Sequence, residues 1–116
     1  MKTKIITLTL LSIFSINSIG QVNLYKIPSD PKATYEVLEK TGKGKKRVIT
    51  TKRTGPSGVS YSKREYDCEL AKVRYIGTGD TLQEMQSSKP DGKLTGIVDG
   101  SIASYIGGVA CEGYKQ

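Results

Sequence analysis

The 116-residue chain contains no histidine and no tryptophan, and it has only two cysteines and one phenylalanine. Without histidine, the chain cannot build a Ser-His-Asp triad, a Cys-His pair or a paired-imidazole nuclease site. Two cysteines without a histidine also do not supply the four ligands of a structural zinc site. The composition therefore predicts neither a metal nor a cofactor.

Carboxylates are the acid–base groups that remain. Glu65, Asp67 and Glu69 alternate along a predicted strand, which would place them on one face of the sheet. Basic residues stand beside them, namely Lys63, Arg64 and Lys72. This mixture favours a solvated, charge-balanced sheet face over the acid pair of a glycosidase. We therefore expect no catalytic residue and a protein that is not an enzyme.

Long apolar runs are missing after residue 20, whereas the first 20 residues have the order of an export signal. Lys2 and Lys4 form a basic start, an uncharged and mostly apolar run follows, and Ser18-Ile19-Gly20 supplies the small residues of a cleavage site. The apolar run is shorter than the roughly 20 residues of a membrane-spanning helix. We expect residues 1–20 to be a signal peptide that is cleaved before Gln21. The protein would then reach the periplasm, the cell surface or the medium.

The remaining chain, residues 21–116, is too short for two hydrophobic cores, so we expect a single domain. Every aromatic residue in this part is a tyrosine. Cys68 and Cys111 both lie in it, and an even number of cysteines in an exported chain favours a disulfide. On the chain-entropy model, such a bond would stabilise the fold by about 4 kcal/mol.

Alternating apolar residues between turn-forming residues predict a series of strands in the first part of the domain. The segments typical of strands are Val22–Ile27, Arg47–Arg53, Val59–Tyr66 and Leu70–Ile76. Residues 33–40 are compatible with helix or strand, although their β-branched and aromatic residues favour a strand. A hairpin tip is expected at 41–46, and glycine-rich loops are expected at 55–58 and 77–80. Residues 83–93 are polar, and we interpret them as a mobile surface loop.

The period of the apolar residues changes after Ser101, where Ile102, Tyr105, Ile106, Val109 and Ala110 recur at helical spacing. Gly107 and Gly108 each lower helix propensity by about 1 kcal/mol. We therefore expect both glycines to allow close approach to the sheet near Cys111. An irregular turn followed by a strand is the alternative. Together these elements predict an α+β domain, an antiparallel sheet of four to six strands with one C-terminal helix joined to it by the disulfide.

Three segments of the sequence carry a resemblance to a known family. Tyr66-Asp67-Cys68 stands at a predicted strand end, Val73-Arg74-Tyr75 lies in the next strand, and Ser101–Cys111 forms the terminal helix. In this pattern the chain resembles the surface-adhesin protein E family over about residues 58–113. The resemblance implies a bacterial exported domain that adheres to host or matrix molecules. The chain departs from the family in lacking a lipid-anchoring cysteine and the tryptophans common near the start of such domains.

The basic residues concentrate in residues 40–53, a window without any acidic residue. On the predicted hairpin they would cluster at its tip and along its arms, where such a density can bind polyanions such as heparin-like glycans. The candidate binding residues are Lys43, Lys45, Lys46, Arg47, Lys52 and Arg53. The alternative is a solubilising charge run that keeps exposed strands from pairing edge to edge. Nucleic acid is disfavoured because no aromatic residues interleave with the run for base stacking.

These observations predict a non-catalytic exported binding protein of the bacterial cell envelope. It would be an adhesin-like domain that contacts host molecules, matrix molecules or polyanions through the basic hairpin. The alternative is a periplasmic protein-interaction module, an inhibitor or an assembly factor. Such a module would bind another protein through a sheet face bearing Tyr61 and Tyr75, or through residues 83–93. No transmembrane segment is expected after the signal is cleaved.

Overall fold

Within residues 23–114, the part of the chain that the computed structural model describes, six strands form one sheet in which each strand pairs antiparallel with the next. The predicted signal peptide and its cleavage site lie outside this range. The predicted α+β class, the number of strands and the C-terminal helix are confirmed. The strands are β1 (Leu24–Ile27), β2 (Asp30–Thr41), β3 (Lys46–Gly55), β4 (Gly58–Asp67), β5 (Lys72–Gly79) and β6 (Thr95–Gly96), and the helices are α1 (Leu82–Ser87) and α2 (Ile102–Ala110).

Strands β2 and β3 form the predicted hairpin, and its turn depends on glycine. Gly42 and Gly44 have positive φ values of 99° and 63°, which glycine adopts without steric cost. An added Cβ at Gly42 would also meet the carbonyl oxygen of Lys46. Residues 33–40, which were compatible with helix or strand, lie within β2. β3 then continues into β4 in an unbroken register over its whole length.

The two helices pack on opposite faces of the sheet. The face that contacts α2, called here the α2 face, carries Tyr35, Ile49 and Tyr66, all of which are 2% exposed or less. These side chains belong to one hydrophobic cluster with Ile106 and Ala110 of α2. The core is therefore a single layer between the sheet and the C-terminal helix.

Helix α1 lies on the opposite face and includes residues 83–87, so the prediction of a mobile loop at 83–93 is wrong for that part. Residues 88–93 form neither helix nor strand. Thr81 caps the helix by accepting a hydrogen bond from the Glu84 N–H at 3.0 Å, and Met85 is buried. An added Cβ at Gly77 would lie 2.5 Å from the carbonyl oxygen of Met85, so glycine permits this packing. β5 accordingly runs on through Gly79, where a loop was expected. The segment was interpreted as a loop because its composition is polar. The signal that this interpretation missed is the spacing of Thr81 and Glu84, which is that of a helix capping box.

The outer edge of β5 is covered by a short strand and by the chain that precedes it. β6 pairs with β5 at Lys72 and Val73. Further along, the Asp91 N–H donates to the Tyr75 carbonyl oxygen at 2.9 Å, and the Tyr75 N–H donates to the Asp91 carboxylate at 3.4 Å. These bonds satisfy edge groups that would otherwise be open to pairing with another strand.

Tyr66 is the centre of the contact between the sheet and α2. Its hydroxyl donates to the Ala103 carbonyl oxygen at 2.6 Å, and burial raises the pKa of Tyr66 above its usual value. An added Cβ at Gly107 would lie 2.8 Å from the Tyr66 ring, so the expected close approach is confirmed at Gly107. The same expectation is wrong for Gly108, which is exposed; in residues 23–114, an added Cβ there would have no group outside its own helix within 4 Å.

The predicted disulfide joins Cys68, immediately after β4, to Cys111, the C-terminal cap of α2. The two Cα atoms are 5.8 Å apart, and 43 positions separate the residues in the chain. Closing a loop of this length stabilises the folded state by an amount on the order of 4 kcal/mol. The bond therefore fixes the end of α2 to the sheet.

Gly107→Ala and Gly108→Ala form a matched pair of substitutions in the middle of α2. We expect Gly107→Ala to lower the free energy of unfolding by about 1–3 kcal/mol, because the new methyl group would displace Tyr66 or the helix. Gly108→Ala should raise it by about 1 kcal/mol, since an exposed helical position gains propensity. Urea denaturation followed by circular dichroism measures both changes. Equal shifts in the two variants would contradict the packing role of Gly107.

Candidate functional site

The turn between β2 and β3 presents three lysines to solvent. Lys43 is exposed within the turn, Lys45 follows it, and Lys46 begins β3. The side chains of Lys45 and Lys46 are 52% and 56% exposed. We call Lys43, Lys45 and Lys46 the lysine tip. In this part of the hairpin, the structure brings predicted binding residues together at one end of the sheet.

Two carboxylates contact the lysine tip but leave its ammonium groups accessible. Lys45 Nζ lies 3.2 Å from a Glu69 carboxylate oxygen, and this hydrogen bond raises the pKa of Lys45. Lys46 Nζ lies 4.0 Å from a Glu65 carboxylate oxygen. The other oxygen of Glu65 accepts a hydrogen bond from Arg74 Nε at 2.6 Å. Exposed ion pairs of this kind contribute about 0–1 kcal/mol. These ion pairs therefore constrain the lysine side chains only weakly.

Arg47, another predicted binding residue, holds the end of α2 instead. Its Nε donates to the Gly44 carbonyl oxygen at 2.7 Å, and its Nη1 donates to the carbonyl oxygens of Ala110 and Glu112 at 3.1 and 3.0 Å. A cation at a helix C-terminus is favourable because the last carbonyl groups carry partial negative charge. Arg47 therefore stabilises the fold.

Arg53 is likewise engaged within the protein, in an ion pair with Asp30. Its Nε and Nη2 donate to the two oxygens of the Asp30 carboxylate at 2.7 and 3.1 Å, and the Tyr35 hydroxyl donates to the same group at 2.5 Å. The hydrogen bond from Arg53, followed by that from Tyr35, lowers the pKa of Asp30 to about 2. Burial, followed by the hydrogen bond to Asp30, raises the pKa of Tyr35 to about 12. This network joins the start of β2 to β3.

Lys52 is separated from the lysine tip by the length of β3. It lies opposite Glu36 of β2 and Tyr61 of β4, and at about 3.3 Å per residue it stands roughly 20 Å from Lys46. Alternation also directs Arg47 and Arg53 to the α2 face and Lys52 to the other face. The six predicted residues thus do not form one cluster, and the lysine tip is the part that remains together.

The three alternating carboxylates have separate roles. Glu65 contacts Arg74, and Glu69 contacts Lys45. Asp67 accepts hydrogen bonds from the N–H groups of Glu69 and Leu70, both at 3.0 Å, in the turn after β4. The bond from Leu70, the stronger cause, helps to lower the pKa of Asp67. In the described residues, no group of three or more metal-binding side chains could hold a metal ion.

Tyr61 and Tyr75 lie on opposite faces of the sheet, so the predicted binding face that carries both is wrong. Tyr61 pairs with Gly79, whereas Tyr75 pairs with Arg64 after a register shift between Lys63 and Arg64. Residues directly opposite each other in a sheet share a face. The irregularity in register therefore moves Tyr75 to the α2 face. Sequence periodicity alone does not locate such a shift.

Sequence reasoning also missed Arg64, which it assigned to a solvated face. Arg64 is 3% exposed and lies on the α2 face in phase with Tyr66. Its guanidinium stacks on the Tyr75 ring, with its central carbon 4.9 Å from the ring centroid. The available signal was the phase of β4, since Arg64 and the buried Tyr66 are two residues apart.

Comparisons with protein-family models, with curated proteins and with solved structures found no match to this chain. Neither helix of the described range has the length and hydrophobicity that crossing a membrane requires. The case for a function therefore depends on the geometry described above.

Asp30 gives the fold an acid-dependent contribution to stability. Its pKa is lowered from 3.8 to about 2 in the folded state. The carboxylate therefore stabilises the fold above pH 3.8, and this contribution is lost as the pH falls through about 2. We expect Asp30→Asn to lower the melting temperature by several degrees near neutral pH and to flatten its decline between pH 4 and 2. Thermal unfolding across this range measures the effect.

The exposed Asp80→Asn variant is the control for the loss of one negative charge. It should keep both the wild-type melting temperature and its decline in acid. An Asp30→Asn variant with the wild-type pH dependence would show that the network of Arg53, Tyr35 and Asp30 does not stabilise the fold.

Proposed function

We propose that this chain is a non-catalytic exported binding protein of the bacterial cell envelope, and that its lysine tip contacts polyanions such as sulfated glycans. The observation that carries the proposal is the exposure of three lysines within four residues at the end of a long hairpin. The glycine turn holds these residues at the end of the sheet, so less flexibility is lost on binding than in a free tail. Polyanion binding of this kind weakens as salt is added.

The architecture also supports the proposal of an adhesin E-like protein. The Tyr66-Asp67-Cys68 segment ends β4, Arg74 lies in β5, and Ser101 caps the terminal helix that Cys111 joins to the sheet. This is the arrangement that the resemblance to the surface-adhesin protein E family implies. Adhesion to host or matrix molecules is the corresponding function.

A protein-interaction module in the periplasm is the second candidate, and an apolar groove favours it. Tyr25 and Ile27 of β1 line a cavity of about 170 Å³ together with Tyr105, Ile106 and Val109 of α2. β1 is also an edge strand, to which an extended segment of another protein can add. A protein partner bound in this groove would be insensitive to substitution of the lysine tip, which distinguishes the two functions.

Substitution of the lysine tip tests polyanion binding. We expect Lys43→Gln, Lys45→Gln and Lys46→Gln together to shift elution from a heparin-like resin to markedly lower salt, because three contacts are lost. The salt dependence of binding should also fall by about one counterion for each lysine. Thermal stability should change little, since the ion pairs of the tip are exposed. Arg47 and Arg53 are left unchanged because they stabilise the fold.

The matched control removes three other exposed lysines, Lys26, Lys32 and Lys93. This variant has the same net charge as the tip variant and should elute close to wild type. Equal losses in the two variants would show that the resin senses net charge alone, and the lysine tip would then not be a binding site.

The proposed export has its own test. The protein recovered from periplasmic or extracellular fractions should begin at Gln21. Its intact mass should be two hydrogens lower than that of the reduced chain, because Cys68 and Cys111 are joined. A full-length chain that stays in the cytoplasm with two free thiols would contradict export.

A further inference from the structure

Lys72, the first residue of β5, lies in one row with Lys46 of the lysine tip across the end of the sheet. Lys46 pairs with Asp67 of β4, and Asp67 pairs with Lys72. Residues directly opposite each other share a face of the sheet. Neighbouring strands are about 4.8 Å apart, so the Cα atoms of Lys46 and Lys72 are separated by roughly 10 Å.

The acidic residue between these two lysines is withdrawn from the surface. Asp67 is 4% exposed, and its Oδ1 accepts the N–H groups of Glu69 and Leu70, both at 3.0 Å. None of the ion pairs within residues 23–114 includes Asp67. Its carboxylate therefore closes the turn after β4 and does not bridge Lys46 and Lys72.

Lys72 is an exposed cation, and it takes part in none of the ion pairs of the described range. On its outer side it pairs with Gly96 of β6, which has no side chain. Lys46, in contrast, lies 4.0 Å from Glu65. The ammonium group of Lys72 is therefore accessible to a ligand that approaches from the lysine tip.

Glu69 is the acidic residue that stands between the lysine tip and Lys72. It belongs to the turn after β4, and the Cys68 N–H donates to the Lys45 carbonyl oxygen at 2.7 Å, which places this turn beside the lysine tip. The Glu69 side chain is 55% exposed, and its carboxylate lies 3.2 Å from Lys45 Nζ. An anionic chain that runs from Lys45 to Lys72 passes this carboxylate, and like charges repel.

We propose that a polyanion bound at the lysine tip continues across the end of the sheet to Lys72, and that Glu69 limits its affinity. This inference rests on the proposed function and adds the form of the ligand. A single sulfate does not contact two lysines whose Cα atoms are roughly 10 Å apart in a sheet. A linear sulfated glycan carries repeated anionic groups and can contact both.

A sulfated hexasaccharide, made of three disaccharide units, is the probe for the contribution of Lys72. We expect Lys72→Gln to weaken its binding by about two- to fivefold, the range that one exposed charge contact supplies. The salt dependence should fall by about one counterion. Lys32→Gln removes an exposed lysine at the start of β2, at the other end of the sheet, and should bind close to wild type.

Glu69→Gln should have the opposite effect on the same measurement. We expect about two- to fivefold tighter binding, because the variant removes a repulsive charge and frees Lys45 from its ion pair. Asp80→Asn is its control, since it removes an exposed acidic residue that follows β5 at the far end of the sheet. Equal gains in these two variants, or equal losses in Lys72→Gln and Lys32→Gln, would show that net charge alone sets the affinity and would overturn the inference.

Backbone amide resonances of the wild-type protein, titrated with the hexasaccharide, locate the ligand without any substitution. We expect the resonances of Glu69 and Lys72 to shift together with those of the lysine tip. Shifts confined to the tip, with wild-type binding by Lys72→Gln, would overturn this inference and leave the proposed function intact. If no resonance of the tip shifts and the tip variant elutes as the wild type does, the proposed function and this inference are both wrong.

Discussion

The close contact between the Tyr66 ring and Gly107 of α2 is the constraint on which the rest of the structure depends. The sheet is a single layer, and its apolar face would be open to water without this helix. Gly107 lets the helix backbone rest on the Tyr66 ring, and the Tyr66 hydroxyl reaches the Ala103 carbonyl oxygen. The disulfide fixes the other end of the same helix to the end of β4. A small domain with few aromatic residues thereby obtains its core from one helix held at two points.

The alternation of side chains along β3 determines how the positive charge is used. Arg47 and Arg53 face α2, where one binds the helix end and the other binds Asp30. The lysines of the tip stay in solvent, where their charges are only partly balanced. This division is consistent with the chemistry of the two side chains, because the planar guanidinium suits fixed hydrogen-bond geometry and the flexible ammonium suits a solvated surface. A count of basic residues in the sequence does not reveal it.

The sequence was sufficient for the features that depend on local pattern. The hairpin of β2 and β3, the helical spacing after Ser101 and the disulfide all followed from alternation, period and cysteine count. The predictions that were wrong concern features that depend on tertiary contacts. Helix α1 owes its position to the approach of Met85 to Gly77, and the placement of Tyr75 depends on a register shift beside Arg64. The candidate site shows the same limit, since the roles of Arg47 and Arg53 depend on partners far away in the chain.

The meander order of the strands has a consequence for how the protein matures. Every strand pairs with its sequence neighbour, and the connections from β1 through β5 are only two to four residues long. Local pairings of this kind favour rapid formation of this part of the sheet. A disulfide requires Cα atoms about 4.4–6.8 Å apart, whereas 43 positions separate Cys68 from Cys111 in the chain. The bond therefore spans the contact between α2 and the sheet, and it closes only where that contact brings the two thiols together. In a reducing compartment, α2 would be held by noncovalent contacts alone, among them the Tyr66 hydrogen bond and the hydrophobic cluster.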